Sequence, residues 1–271
     1  MIRANQSMQR QQRPASGQIK TSSLHLEWSE AVWDTAVFGD PVAQIVRLEV
    51  LRQEANHDFG IFERERDAIG CGLVSCRLSH EQLQESMLLE AHGFRFIEMV
   101  YQPELDRLPA EAASSDLLRL SVSLATAGDL PAVLEIAGNA FRSERFHMDP
   151  RLDSALADQR YRNWVNSSVF HPSQQMYVLR DQPRIVAFFI TEPLTDGTCY
   201  WHLTAVAPDA QGQGYGRRAW LTMLHQARNQ GATRVQTCIA ARNHRVLNLY
   251  ARLGFRFPPP LMTFHWLRPG A

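Results

Sequence analysis

The sequence contains little cysteine, no excess of charge of either sign and no long apolar run. Its four cysteines are Cys71, Cys76, Cys199 and Cys238. They show neither C-x-x-C spacing nor a histidine partner at metal-ligand distance, which indicates reduced, buried thiols and no metal site. Lysine plus arginine equals aspartate plus glutamate at 28 each, and no window approaches the roughly 18 apolar residues of a membrane span. We therefore expect a cytoplasmic protein without nucleic-acid or membrane partners.

The length of 271 residues predicts about two domains. Residues 1–22 are polar and, up to Lys20, free of acidic side chains, which predicts a disordered tail, with a transit peptide as the alternative. Alternating strand and helix patterns predict an N-terminal α/β domain over 23–110. A proline-containing linker then leads to a second domain over 117–271.

The glycine-rich stretch 211–216 is the most informative part of the chain. Residues 200–206 ahead of it are aromatic and β-branched, which predicts a buried strand, and apolar residues at helical spacing follow up to Gly231. The glycines would therefore precede the first turn of a helix, where free N–H groups and the helix dipole suit a phosphate. The predicted anion cradle comprises Gln211, Gly212, Gln213, Gly214, Tyr215, Gly216 and Arg217.

Two other glycine motifs do not fit this stretch. A Walker loop requires Lys-Ser or Lys-Thr after the last glycine, but two arginines follow here. A dinucleotide fingerprint requires G-x-G-x-x-G, and the spacing of Gly212, Gly214 and Gly216 is one residue short. The pattern that remains is Q-x-x-G-x-G, beginning at Gln211, with a plain glycine-rich turn as the alternative.

A second motif follows downstream in the order N-x-x-x-x-x-x-Y-x-x-x-G-F. Asn243 is placed to begin a helix after a predicted strand over 234–240. Tyr250 lies seven residues later, at nearly the same angular position two turns on, so both side chains would face one cleft. The alternative for Tyr250 is a core tyrosine with a bonded hydroxyl.

With these two motifs in this order, residues 118 to about 266 resemble the GNAT superfamily of N-acyltransferases. The resemblance implies an α/β (α+β) protein whose C-terminal GNAT fold has a mixed, splayed central sheet flanked by helices. It also implies that the glycine stretch and Asn243 bind acetyl-CoA. The main chain of the central strand would contact the pantetheine and thioester, through Thr204, Ala205 and Val206.

The N-terminal domain carries a faint copy of the second motif. A helix predicted over 79–92 ends at Gly93-Phe94, as the later helix ends at Gly254-Phe255. No Q-x-x-G-x-G precedes it. We therefore expect a degenerate GNAT copy that binds no cofactor.

Aromatic residues over 33–39 and 140–167 resemble, more loosely, the dTDP-fucosamine acetyltransferase group of two-domain GNAT enzymes. Those enzymes acetylate the 4-amino group of a nucleotide-linked deoxysugar. The resemblance implies a small-molecule amine as acceptor, with Arg145 and His147 as the polar residues expected to reach it. The aromatic residues are equally consistent with helix packing.

Acyl transfer to an amine requires a base for the amine and an acid for the departing thiolate. Tyr250 suits the acid, because proton transfer from a phenol to a thiolate is uphill by only about 2 kcal/mol. Many GNAT enzymes carry a glutamate five residues before the motif asparagine, where this chain has Cys238. His202 is the expected base, since it shares a strand face with Thr204. Two alternatives remain: His202 is a core histidine bonded to a neighbouring strand, or a chain of water molecules takes the proton without a side-chain base.

We therefore expect an acetyl-CoA-dependent N-acetyltransferase that acts on the primary amine of a small molecule, with an amino sugar favoured and no metal required. One alternative is a non-catalytic module that binds acyl-CoA or a partner protein. Another is a GNAT enzyme that acts on a peptide or protein amine. The sequence leaves open the acceptor, the acyl chain and whether the chain forms a homodimer.

Overall fold

The computed structural model describes residues 14–109 and 120–270. These residues form two compact units. The first comprises residues 14–77, 83–95 and 265–270, and the second comprises residues 78–82, 96–109 and 120–264. This division differs from the expected boundary near residue 110, because residues 96–109 belong to the second unit. The predicted linker falls largely on residues 110–119, which lie outside the described residues.

The elements of residues 14–109 alternate as the sequence predicts. In chain order they are β1 (Ser16–Lys20), β2 (Leu24–Glu30), α1 (Val32–Phe38), β3 (Val42–Val50), α2 (Ala55–Ala68), β4 (Leu73–Ser79), α3 (Leu83–Ala91), β5 (Arg95–Tyr101) and β6 (Glu104–Leu105).

The remaining described residues carry the longer strands and helices. In chain order these are β7 (Ser121–Leu124), α4 (Leu130–Ala140), α5 (Arg145–Met148), α6 (Ser154–Ser168), β8 (Gln175–Asp181), β9 (Arg184–Pro193), β10 (Thr198–Val206), α7 (Tyr215–Asn229), β11 (Arg234–Thr237), β12 (Ile239–Ala240), α8 (His244–Arg252) and β13 (Leu261–Leu267).

Strand β1 corrects the prediction of a disordered tail over residues 1–22. It pairs antiparallel with β2 along all five of its residues and buries Ile19 to 4% exposure. The polar sequence carries too few apolar residues to predict a strand, so β1 depends on the hydrogen bonds that β2 supplies. Residues 1–13 lie outside the described residues.

In the first unit the strands lie in the order β1-β2-β3-β4, and β3 pairs in parallel with β4. Helix α2 packs Phe59 and Phe62 against this sheet, with ring centroids 5.3 Å apart. Trp28 of β2 contacts Phe62 at 6.2 Å. These edge-to-face contacts form an aromatic core that belongs to the first unit alone.

The second unit contains a six-stranded mixed sheet in the order β6-β11-β10-β9-β8-β7. Only β10 and β11 pair in parallel; the other neighbours in this sheet are antiparallel. Trp220 of α7 packs on the sheet against Phe189, at 4.8 Å between ring centroids, and Trp201 lies beside them. The mixed sheet with flanking helices confirms the predicted fold class.

Strand β10 parts from β11 halfway along its length. The two strands pair in parallel from Thr198 to Trp201, and β11 then ends at Thr237. Strand β12 begins at Ile239 and pairs with β5 instead. The second half of β10 therefore keeps only β9 as a neighbour. This separation of β10 from β11 is the splayed central sheet that the sequence predicts.

The first unit repeats this arrangement. Strand β3 pairs with β4 only from Val42 to Ile45, while its second half runs along β2 to Val50. Each long strand has one bulged residue directly after the parallel pairing, Val46 in β3 and His202 in β10. Two independent sheets with the same parting and the same bulge indicate a duplicated fold.

The helices that follow also correspond. Helices α3 and α8 are nine residues long, and each is followed by a glycine of positive φ, 82° at Gly93 and 86° at Gly254. The next residue then donates its N–H back into the helix at 3.0 Å, to the carbonyl of Leu89 in the first unit and of Tyr250 in the second. The expected copy of the motif is therefore present, with leucine where the second unit has tyrosine.

In the first unit a side chain of the protein pairs with the open edge of β3. The N–H of Val50, the last residue of β3, donates to Glu85 Oε1 of α3 at 3.0 Å. The connection from β3 to α2, residues 51–54, contains no glycine. The first unit thus keeps the scaffold and lacks both an open strand edge at this point and a glycine cradle.

Among the described residues, no helix combines the length and apolarity of a membrane span. No group of three or more His, Cys, Asp and Glu side chains in that part of the chain is arranged to hold a metal ion. The four cysteines are free thiols. Three are buried as predicted, whereas Cys238 is half-buried at the break between β11 and β12.

Phe188 tests the core of the second unit, because it is fully buried in β9 at 0% exposure. We expect Phe188→Ala to lower the free energy of unfolding by about 3–5 kcal/mol, since the truncation leaves a cavity. The measurement is urea denaturation followed by tryptophan fluorescence. Phe170→Ala is the matched control, because Phe170 is 88% exposed, and it should change the stability by less than about 0.5 kcal/mol. Equal effects of the two changes would contradict this core.

Candidate functional site

The open edge of β10 presents backbone groups of two residues. The N–H of Ala207 donates to Val186 of β9 at 2.9 Å. Backbone groups alternate along a strand, so those of Ala205 also face β9, while those of Thr204 and Val206 face the open edge. The sequence-based assignment of Ala205 to the cofactor is therefore wrong for its N–H, because β9 uses that side of the strand. Thr204 and Val206 therefore remain as the candidate backbone contacts for the cofactor.

The glycine stretch lies where the sequence predicts, between β10 and α7, and a short 3₁₀ turn at Pro208–Ala210 precedes it. Gly214 caps α7 with φ 84°, and Gly212 has φ 80°. A Cβ at Gly214 would meet no heavy atom within 4 Å. Glycine is therefore required there by the left-handed backbone and not by crowding within the protein. Residues 211–214 are exposed, so an anion can reach the N-terminal N–H groups of α7.

Gln211 connects the cradle to its two neighbours. Its Nε2 donates to the carbonyl of Val206 at 3.3 Å, and its Oε1 accepts from Arg245 of α8 at 3.2 Å. Arg245 also lies 3.6 Å from the position of a Cβ on Gly212. The guanidinium of Arg245 therefore lies next to the glycine stretch. The sequence analysis missed Arg245, although its place two residues after Asn243 offered a signal.

The other polar residues of the stretch have partners within the protein. Tyr215 donates its hydroxyl to Asp181 Oδ2 at 2.6 Å, and Arg218 lies 3.5 Å from the same oxygen. The Tyr215 hydrogen bond is the main cause that holds the pKa of Asp181 below its usual value. The Tyr215 side chain thus points to Asp181, which leaves its backbone N–H for the cradle. Gln213 donates to the carbonyl of Asp209 at 2.7 Å, and Arg217 is exposed.

Asn243 begins α8 as predicted. Its Oδ1 accepts from the N–H of Val246 at 3.3 Å, an N-cap bond. The side chain fixes the start of α8, and so the place of Arg245 and Tyr250 on that helix. Asn243 therefore shapes the site through the helix that it caps.

Tyr250 is buried at 1% exposure between Trp220 and Phe255, with ring centroids 6.2 and 4.7 Å away. Burial raises the pKa of its phenol, and polar contacts with Trp220, Thr237 and Thr204 partly offset that effect. Its hydroxyl therefore lies at the place where β10 and β11 part. A raised pKa keeps the phenol protonated and makes it a weaker acid than a phenol in water.

His202 has a carboxylate partner that the sequence analysis did not identify. Its Nε2 lies 2.7 Å from Glu192 Oε2 of β9, and the two side chains are 19% and 21% exposed. The rings of Tyr200 and Trp164 lie 4.8 and 6.4 Å from the imidazole. Glu192 stands opposite Tyr200 in the β9–β10 register, so only the strand pairing reveals it. His202 is also the bulged residue of β10.

Arg145 and His147 lie on the short helix α5. His147 Nε2 lies 2.8 Å from Asp158 Oδ1, and its side chain is 5% exposed. Its ring is stacked 5.9 Å from Tyr161. Helix α6 thus covers His147, and its expected contact with a substrate stays a prediction. Arg145 lies over the ring of Phe146 at 4.5 Å.

Comparison with known proteins agrees with this geometry. The model of the acetyltransferase (GNAT) family matches residues 132–255. The spore coat polysaccharide biosynthesis protein SpsD of Bacillus subtilis is 22% identical over 138 residues, which are 51% of this chain and 47% of that protein. The mycothiol acetyltransferase of Rhodococcus jostii is 31% identical over 137 residues, 47% of this chain and 42% of its own length. The matches span less than half the length of these curated relatives.

Solved structures resemble the chain over most of its length. A GCN5-related N-acetyltransferase from Sphaerobacter thermophilus superposes with a TM-score of 0.62 at 15% identity, covering 92% of this chain and 82% of that one. A tandem GNAT protein from the clavulanic acid biosynthesis pathway superposes at 0.57 and 14% identity, covering 96% and 86%. At this identity the likeness concerns the fold, and it agrees with the duplicated scaffold. Residues 132–255 therefore match the acetyltransferase (GNAT) family, and the fold of the described chain is that of the GNAT structures it resembles.

Proposed function

We propose that this chain transfers an acetyl group from acetyl-CoA to the primary amine of a small molecule. The observation that carries the proposal is the parting of β10 from β11 beside the glycine cradle. An extended thioester ligand can hydrogen-bond to the free edge of a strand while its pyrophosphate binds at a helix N-terminus. Both features occur in the second unit, with Tyr250 and His202 at the edge.

The residues present fit acetyl-CoA. The N–H groups of 214–217 and the guanidinium of Arg245 would hold the pyrophosphate, since both favour negative charge. The backbone of Thr204 and Val206 would hold the pantetheine, because these groups lack a strand partner on the open edge. Bound acetyl-CoA supplies an activated thioester.

The side chains at the edge serve the two proton transfers. His202 takes the proton that the ammonium of the acceptor must lose before nitrogen forms a bond to the acyl carbon. Tyr250 donates a hydrogen bond, and then its proton, to the sulfur as the carbon–sulfur bond breaks, and the second proton that the nitrogen loses as the amide forms restores the phenol. Its raised pKa makes this transfer more costly than for a phenol in water, and the nearby polar side chains of Thr204 and Thr237 partly offset that cost.

An amino sugar is the acceptor class that we favour. The rings of Tyr200 and Trp164 both lie beside the imidazole of His202, and aromatic rings offer apolar faces on which a sugar ring can stack. The name of SpsD refers to polysaccharide biosynthesis, which supports a sugar-linked amine. A panel of amino sugars, aminoglycosides and peptides with acetyl-CoA, measured by thiol release, tests this proposal. Turnover of peptides alone would overturn the acceptor class, and no turnover of any amine would overturn the activity.

Gly214→Val tests the cradle. A β-branched residue tolerates φ 84° poorly and places a side chain where the pyrophosphate would lie. Coenzyme A at a hundredfold excess over its dissociation constant should stabilise the wild type by about 2.7 kcal/mol. We expect the variant to lose the corresponding shift in melting temperature.

Gly231→Val is the matched control. Gly231 has φ 88° and equally open surroundings, but it lies at the other end of α7, roughly 20 Å away. It should cost similar stability and keep the ligand-induced shift. An unchanged shift in Gly214→Val, or its loss in both variants, would contradict the assignment of the cradle.

The first unit leads to a prediction about stoichiometry. Because Glu85 occupies the open edge of β3, we expect one coenzyme A site per chain. Isothermal titration should give a stoichiometry of about one, and Gly214→Val should remove the binding heat altogether. A second site that persists in this variant would show that the first unit also binds the ligand.

Tyr250→Phe tests the acid. The phenylalanine ring retains the contacts with Trp220 and Phe255, so coenzyme A affinity should barely change, while kcat should fall roughly 10²–10⁴-fold. Burial raises the pKa of Tyr250 above its usual value of about 10, so the phenol is protonated throughout the neutral range. The loss should therefore be independent of pH between about pH 6 and about pH 9.

Tyr177→Phe is the control for losing a buried hydroxyl. Tyr177 is 3% exposed and donates to Gln175 at 2.7 Å, outside the open edge. This variant should keep kcat within about threefold. If Tyr250→Phe also keeps kcat within threefold of wild type, Tyr250 is a packing residue and the acid lies elsewhere.

A further inference from the structure

The partner of His202 is itself held from its other side. Ser173, in the loop between α6 and β8, donates its hydroxyl to Glu192 Oε1, while His202 Nε2 lies 2.7 Å from Glu192 Oε2. Each carboxylate oxygen thus has its own partner. Ser173 Oγ also lies 3.2 Å from Nδ1 of the exposed His171.

We propose that Glu192 and Ser173 are positioning residues that hold His202 with its proton on Nε2 and leave Nδ1 as the nitrogen that accepts the proton of the acceptor amine. The proposal rests on the function proposed above, in which His202 is the base. It adds which ring nitrogen of His202 accepts the proton and which residues fix that tautomer. Neither residue belongs to the motifs that the sequence analysis singled out.

The chemistry of the carboxylate decides the tautomer. Hydrogen bonding from Ser173, followed by that from His202, holds the pKa of Glu192 below its usual value. The titratable side chains that act on this carboxylate are His202 and His171, and both favour its ionised form. An ionised carboxylate only accepts hydrogen bonds. Nε2 must therefore donate, and the neutral imidazole keeps its lone pair on Nδ1.

Ser173 restricts the rotation of the carboxylate. A glutamate that is 21% exposed could otherwise turn toward water, because its side chain carries several rotatable bonds and gains entropy by doing so. The hydroxyl of Ser173 fixes one oxygen, which directs the other toward His202. A shorter acidic side chain at this position would not span both partners.

Glu192→Ala tests the proposal directly. In the wild type, ¹⁵N NMR of the His202 ring nitrogens near pH 8 should show a protonated Nε2 and a bare Nδ1. The variant should show a mixture of both tautomers. Its kcat for acetyl transfer should fall roughly 10–10³-fold with KM little changed, since a supporting group of a general base is lost. Added formate should restore part of the rate by filling the position of the carboxylate.

Ser173→Ala should lower kcat by about threefold to tenfold, and Ser173→Thr should restore it by returning the hydroxyl. Ser167→Ala is the matched control, because Ser167 on α6 donates only to the carbonyl of Trp164, at 2.8 Å. Circular dichroism and the melting temperature show whether each variant is folded. A variant that unfolds is replaced by Glu192→Asp, which should also disturb the tautomer.

The ring-nitrogen measurement separates this inference from the proposed function. If the wild type acetylates no amine, the proposed function fails, and the tautomer of His202 still decides whether Glu192 and Ser173 position the ring. A proton on Nδ1 in the wild type overturns the inference. So does a Glu192→Ala variant that keeps both the wild-type ring state and a kcat within threefold.

Discussion

The parting of β10 from β11 after Trp201 is the constraint on which the site depends. Parallel pairing would otherwise use the backbone groups of both strand edges, and no ligand could bind between them. The break at Cys238 sends β12 to pair with β5, so β11 cannot follow β10 any further. Thr204 and Val206 are left with backbone groups that the sheet does not use. The N–H groups of both residues are therefore available to a ligand that pairs with them.

The side chains at this parting divide into two electrostatic environments. Tyr250 lies in the aromatic core, where burial keeps its phenol neutral and raises its pKa. His202 lies on the partly exposed face of β10 beside Glu192, whose pKa is lowered by hydrogen bonds. The two side chains thus differ in burial and in partners, a phenol in an apolar core and an imidazole beside a carboxylate.

The two units show how one scaffold can keep or lose such a site. Both have a strand that parts from its parallel neighbour and bulges at the next residue. In the first unit the bulge residue is Val46, the helix carries Leu89 in place of a tyrosine, and Glu85 pairs with the open end of β3. Packing and backbone hydrogen bonding are retained, because they maintain the fold. The polar groups that would bind and react are replaced or satisfied internally.

The sequence by itself determined the local features of the site. The glycine cradle at 211–216 and the N-cap at Asn243 follow from rules that act over a few residues, so a motif predicts them. Tertiary structure decided the rest: Glu192 reaches His202 across two strands, and Ser173 approaches from a separate loop. Arg245 lies over the cradle because α8 returns to it. These contacts depend on strand register and helix placement, which pairing and core packing across the whole unit fix, and no short stretch of sequence encodes them.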